Sequence, residues 1–126
     1  MTVSPVFKVQ LDAPRNLIHI WYLGNVTATG MAACVKEVER CLPVLRPGFT
    51  VLTDLSGLES MTLDCAPHLT RIMDLSKSHG IGTAVRVIPD QTKDIGFNIL
   101  SIIHYRRGVK IVTCATLAEA ERALVT

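Results

Sequence analysis

The alternation of strand-like and helix-like segments is the feature that most limits the fold of this chain. Two β-rich segments at the start, 6–11 and 17–23, are joined by a short polar turn and predict an antiparallel hairpin. After that hairpin, helices and strands alternate to the end of the sequence. Strands that are separated by helical crossovers lie parallel in one sheet. We therefore predict an α/β fold with about five strands, mixed but mostly parallel, and four helices.

The remaining elements follow from periodicity and from turn residues. Helices carry apolar residues at spacings of three and four, whereas the strands are short runs rich in β-branched residues. The predicted helices begin at Thr27 or Thr29, at Asp64, at Thr92 or Asp94, and at Leu117. The predicted strands are 49–53, which ends at Asp54, then 83–88 and 109–114. We expect the strand 17–23 to be central, because it is apolar almost throughout.

Length, charge and cysteine usage exclude several classes of protein. The 126 residues fit one domain, 1–126, and the net charge of +2 is too weak for a nucleic-acid-binding surface. The four cysteines form no CxxC pair and no cluster with histidine at metal-ligand spacing, so we predict free thiols, no metal and no cofactor. No apolar run approaches the ~20 residues of a membrane span, and the first residues do not resemble a secretion signal. We expect a cytoplasmic protein.

The segment from Phe49 to Leu69 is the predicted functional region. A buried strand ends there at an acid, a polar turn follows, and a new helix begins. In open α/β sheets, ligands and partners bind at the carboxyl ends of the strands. We place the cap of this helix at Asp64 rather than Thr62, because Pro67 then falls in the first turn, where no backbone bond is lost. The predicted partner-binding residues are Asp54, Ser56, Gly57, Asp64, Cys65 and His68.

Three stretches carry a family resemblance: 54–59 with the helix that follows, 80–89, and 118–124. Together they resemble the STAS domain of bacterial anti-sigma-factor antagonists and sulfate transporters, which has the SpoIIAA-like fold. The resemblance implies a non-enzymatic regulatory module that binds another protein, such as an anti-sigma factor or a kinase-like regulator. In that family, a serine at the start of the second helix is phosphorylated by a partner kinase.

The position of that serine is occupied here by a residue without a hydroxyl. Counting forward from Asp54 places Asp64 there, whereas counting back from the strand at Thr83 places Cys65 there. The resemblance therefore implies a switch that is lost or replaced, although Ser60 and Thr62 lie close by as possible sites of modification.

Two residues of this region have alternative interpretations. Asp64 is either a simple helix cap or a permanent negative charge in place of a phosphoserine. Cys65 is either a small buried packing residue or a reactive thiolate that is favoured by the helix dipole. Nothing in the spacing of the histidines and possible nucleophiles assembles a catalytic set, so we predict no enzyme activity.

The third predicted helix is apolar nearly all round, which predicts burial on more than one side. A homodimer through Phe97, Leu100 and His104 is one hypothesis, and the alternative is a small-molecule or lipid-binding pocket near this helix. The basic residues Arg106, Arg107 and Lys110 follow it, either as a solvated cluster or as a surface for an acidic partner or a membrane.

Overall fold

A five-stranded sheet forms the centre of the computed structural model, which describes residues 5–89 and 108–124. Its strands, in spatial order, are β1 (Phe7–Asp12), β2 (Leu17–Tyr22), β4 (Thr50–Asp54), β6 (Thr83–Val87) and β7 (Lys110–Cys114). The strands β1 and β2 are antiparallel, and every other neighbouring pair is parallel. The predicted mixed, mostly parallel sheet with an initial hairpin is confirmed. The central strand is β4, however, and β2 lies second from the edge.

Three α-helices occur in the described ranges, rather than the four that we predicted for the whole chain. They are α1 (Ala28–Cys41), α2 (Ala66–His79) and α3 (Leu117–Leu124). The predicted helix from Thr92 or Asp94 to Tyr105 lies outside the described residues. Two short 3-10 helices, Leu42–Val44 and Leu63–Cys65, precede β4 and α2.

Helix α1 follows the sequence pattern closely. Thr27 occupies its N-cap position, with an extended backbone but without a side-chain hydrogen bond to the helix. The helix ends at Cys41, and Pro43 lies within the 3-10 turn that follows. An α-helix that continued through Pro43 would lack a backbone donor at that position, which explains the change to a tighter turn.

The sheet has a larger and a smaller apolar layer. The alternation of β2 directs Ile18, Ile20 and Tyr22 into the larger layer, where buried residues of α1 and α2 pack. The opposite face of the sheet carries a smaller cluster, in which Leu17 and Leu52 lie with Ala120 of α3. Because β2 is covered on both faces, its sequence lacks the alternation of an exposed strand.

Candidate partner-binding surface

A tight turn follows β4 at the carboxyl end of the sheet. Asp54 is only 5% exposed, and its Oδ1 accepts a hydrogen bond of 2.8 Å from the backbone N–H of Ser56. The N–H of Leu55 donates to the carbonyl of Val87 at 2.9 Å, and the N–H of Leu58 donates to that of Leu55 at 3.1 Å. These bonds tie the start of the turn to β6 and fold it back on itself. Asp54 therefore stabilises the turn from a buried position, whereas Ser56 and Gly57 are exposed.

A second, two-stranded parallel sheet continues from this turn. It consists of β3 (Gly24–Val26) and β5 (Leu58–Met61), neither of which the sequence predicted. The N–H of Gly24 donates to the carbonyl of Gly57 at 2.7 Å. The connection from β4 to α2 is therefore paired with the connection from β2 to α1.

Gly57 lies in close contact with the first of these connections. A Cβ atom at this position would lie 2.8 Å from Cδ2 of Leu23. Gly57 was predicted as a turn residue, and its lack of a side chain also allows the two connections to approach each other.

The start of α2 differs from the prediction. Helix α2 begins at Ala66 rather than directly after Asp64, so Pro67 is its second residue. Thr62 is the N-cap residue of the preceding 3-10 helix, Leu63–Cys65, and the N–H of Cys65 donates to the carbonyl of Thr62 at 3.0 Å. The 3-10 turn uses this backbone bond in place of a side-chain cap on α2. Asp64 does not cap α2: its carboxylate accepts a hydrogen bond from the hydroxyl of Thr62.

Cys65 is completely buried beneath the 3-10 turn. Its thiol donates to the carbonyl of Val26 at 3.6 Å, and its sulfur lies 3.5 Å from the hydroxyl oxygen of Thr62. The same carbonyl of Val26 accepts from the N–H of Thr62 at 3.3 Å. Cys65 thus joins the 3-10 turn to β3, and this geometry favours the packing interpretation over that of an accessible, reactive thiolate.

Leu63 is the most exposed large apolar side chain among the described residues, at 94%. It lies between two residues with polar side chains, Thr62 and Asp64, in the turn that Cys65 anchors. Sequence reasoning missed Leu63, because a single leucine beside a helix start is normally assigned to the core. Leu63 points into solvent because it lies on a short turn whose last residue, Cys65, is buried.

Exposed polar side chains also lie on β3 and β5, the two strands that adjoin this turn. The hydroxyl of Ser60 donates to Oδ1 of Asn25 at 2.6 Å, and Nδ2 of Asn25 donates to Oε2 of Glu59 at 3.5 Å. All three side chains are exposed. The exposed residues of this edge form what we call the loop surface, which has one apolar side chain at its tip and two acidic groups. Its members are Asn25, Ser56, Gly57, Glu59, Ser60, Thr62, Leu63 and Asp64.

The other predicted site residues are distributed differently. His68 is half-buried in the first turn of α2. Lys110 is exposed at the start of β7, at the amino ends of the parallel strands, whereas the loop surface lies at their carboxyl ends. Phe97, Leu100 and His104, together with Arg106 and Arg107, lie outside the described residues, so the homodimer and the alternative ligand pocket stay predictions.

Metal and membrane sites are not found in the described part of the chain. Its four cysteines are all buried and free, and it contains no group of three His, Cys, Asp or Glu side chains that could hold a metal ion. Within the same ranges, no helix has both the length and the apolar character needed to cross a membrane.

Comparisons with known proteins identify the architecture. No family model matches the chain, and a search of curated proteins gave no significant match. Among solved structures, the chain is similar to an uncharacterised protein of the DUF3478 family from Shewanella loihica, which has a SpoIIAA-like fold. The TM-score is 0.68 and the identity 12%, over 98% of each chain.

Two anti-sigma factor antagonists also have similar structures. For SpoIIAA in its unphosphorylated form, the TM-score is 0.64 and the identity 16%, over 94% of this chain and 97% of that one. For an anti-sigma factor antagonist from Mycobacterium paratuberculosis, the TM-score is 0.61 and the identity 14%, over all of both chains. The chain therefore has the SpoIIAA-like fold, as the sequence resemblance implied.

Proposed function

We propose that this chain is a single-domain, non-enzymatic regulatory module of a bacterial cytoplasm that binds another protein through the loop surface. Two similar structures, those of SpoIIAA and of the M. paratuberculosis protein, are described as anti-sigma factor antagonists. The partner that we propose by analogy is an anti-sigma factor or a kinase-like regulator.

The observation that carries the proposal is the exposure of Leu63 on an anchored turn. Full burial of a leucine side chain against a partner contributes about 1.5–3 kcal/mol. The turn is held by the backbone bonds of Thr62 and by the thiol of Cys65, so little conformational entropy has to be lost on binding. An apolar side chain surrounded by polar ones fits the apolar core and polar rim of protein interfaces. Asp64 and Glu59 favour a partner with basic groups around an apolar pocket.

The start of α2 supports a second part of the proposal, namely that the phosphoserine switch is absent. The first turn of this helix reads Ala66, Pro67, His68 and Leu69, which contains no hydroxyl group. The hydroxyl of Thr62, which lies just before this helix, donates to Asp64. We propose that the carboxylate of Asp64 gives this surface a permanent negative charge.

The test compares wild-type protein with Leu63→Asp and with the matched control Val44→Asp. Val44 is 55% exposed and lies in the 3-10 helix that follows α1, near the amino ends of the parallel strands. Each protein is immobilised and incubated with lysate of the source bacterium, and the recovered proteins are quantified by mass spectrometry. We expect a partner that wild type and Val44→Asp retain and Leu63→Asp loses. Equal recovery by all three proteins would place the partner contact elsewhere.

The charge of the surface is tested separately with Asp64→Lys. Once a partner has been identified, we expect this reversal to weaken its binding at low salt and to do so less at 0.5 M NaCl, because salt screens exposed charges. Affinities measured by calorimetry at the two salt concentrations give the result. Unchanged affinity in Asp64→Lys would remove Asp64 from the contact.

A further inference from the structure

His19 is a buried histidine on the face of the sheet opposite to α1 and α2. It lies in β2, is 8% exposed, and its Nε2 has no hydrogen-bond partner in the described structure. Its ring stacks on the indole of Trp21, with 3.4 Å between the ring centroids and 18° between the planes. The ammonium of Lys8 lies 4.8 Å from the centroid of the Trp21 ring. An unpartnered buried nitrogen is uncommon, and it constrains the charge state of the imidazole.

Helix α3 packs on this face, mainly over β6 and β7, and the charge of its Glu121 acts on His19. Leu17, two residues before His19, points to the same face as His19, and the register partner of His19 on β4 is Leu52. Both leucines belong to one apolar cluster with Ala120, which is completely buried in α3. His19 thus lies at the border of the layer that α3 covers.

Four charged groups act on His19 from the elements around it. Lys8 is on β1 and Arg15 is in the turn between β1 and β2, whereas Asp54 ends β4 and Glu121 is on α3. Burial lowers the pKa of His19 below its ordinary value, and together with the charges of Arg15 and Lys8 it outweighs the opposite effect of the two carboxylates. The neutral imidazole is therefore the form that fits the folded structure.

We propose that His19 is a proton-operated latch at the border of the layer under α3, in which uptake of a proton releases this helix from the sheet. A charged imidazole carries an N–H on both nitrogens, and the N–H at Nε2 has no acceptor in its buried position. Water has to enter in order to solvate that group. Protonation therefore favours a state in which the cover over this face is open.

Helix α3 is the weakest part of that cover. It has only 8 residues, too few for a stable isolated helix. On α3, Glu121 forms an ion pair of 2.9 Å with Arg15, and both of these side chains are nearly half exposed. Exposed pairs of this kind contribute at most about 1 kcal/mol. β2 pairs along its length with β1 and along most of its length with β4, so we expect α3 to detach from the sheet before these strands separate.

The direction of the pH effect follows from the lowered pKa. Well above the ordinary histidine pKa of about 6.5, the histidine is neutral in both the open and the docked states, and α3 stays docked. As the pH falls toward the lowered pKa, the open state takes up the proton first, so docking weakens. The inference concerns the face of the sheet that is opposite to α1 and α2, and it does not depend on the identity of a partner.

The experiment follows hydrogen exchange of residues 117–124 by mass spectrometry at pH 7.5 and pH 5.0, after correction for intrinsic exchange rates. In the wild type, we expect protection of this segment to fall at least about tenfold at pH 5.0 relative to that of β4. The fluorescence of Trp21, the single tryptophan, reports protonation of the stacked ring in the same samples.

The control variants are His19→Leu and, in case the leucine variant does not fold, His19→Gln. Neither side chain titrates, so we expect the protection of α3 in these variants to be the same at both pH values. Two results for α3 would overturn the latch: unchanged protection of α3 in wild type, whether or not Trp21 fluorescence titrates, or an equal loss of protection in the variants. A loss that affects β4 as strongly as α3 would also overturn it, because global unfolding would then be the cause.

Discussion

Replacing Asp54 separates a structural role of this carboxylate from a direct role in partner binding. The side chain is nearly completely buried, and its Oδ1 accepts the hydrogen bond from the N–H of Ser56 that begins the turn. The perturbation is a pair of variants, Asp54→Ala, which removes the acceptor, and Asp54→Asn, which retains an oxygen in the same place.

The expected magnitude follows from this bond and its surroundings. A hydrogen bond to a charged group contributes about 1.5–3 kcal/mol, and a neutral one about 0.5–1.5 kcal/mol. Ser56 is exposed, so water can satisfy its N–H in Asp54→Ala, which places the loss toward the lower part of the first range. Removal of the buried carboxyl group adds a small packing loss. We expect Asp54→Ala to lower the free energy of unfolding by about 2 kcal/mol and Asp54→Asn by about 1 kcal/mol or less.

Urea unfolding at pH 7.5 measures both values, because His19 is neutral at that pH and does not contribute to the difference. With a slope of about 2 kcal/mol per molar urea, the midpoint of Asp54→Ala should lie about 1 M below that of wild type. Equal destabilisation by the two variants would show that the charge, rather than the acceptor, matters. A fully stable Asp54→Ala would refute the structural role and return Asp54 to the list of candidate partner contacts.

Three further outcomes test other parts of the structure. Burial raises the pKa of Cys34 to about 12, so its alkylation in native protein at pH 8 should be far slower than in urea, as measured by mass spectrometry. Gly82→Ala would place a Cβ 2.7 Å from the carbonyl oxygen of Gly48, a backbone atom, and we expect a loss of about 1–3 kcal/mol in urea unfolding. A double-mutant cycle on Arg15 and Glu121 should give a coupling below about 1 kcal/mol that largely disappears in 1 M NaCl.

The sequence determined the main sheet and the place of the candidate surface. The alternation of strand-like and helix-like segments predicted a largely parallel sheet with an initial hairpin, because crossovers by helices leave few other arrangements. The same reasoning placed the end of β4 at Asp54 and predicted the polar turn that follows it. These features depend on local patterns, such as periodicity and turn residues, which are visible in a single chain.

The tertiary structure alone decided how the loop surface is built. The pairing of β3 with β5 joins residues more than 30 positions apart, and Leu58–Met61 has no β-branched residue to predict a strand. The burial of Cys65 and the exposure of Leu63 follow from that pairing, since the carbonyl of Val26 holds one side of the turn and leaves the other in solvent. Local patterns say which residues are apolar, but contacts between distant segments decide which of them face the core and which are left for a partner.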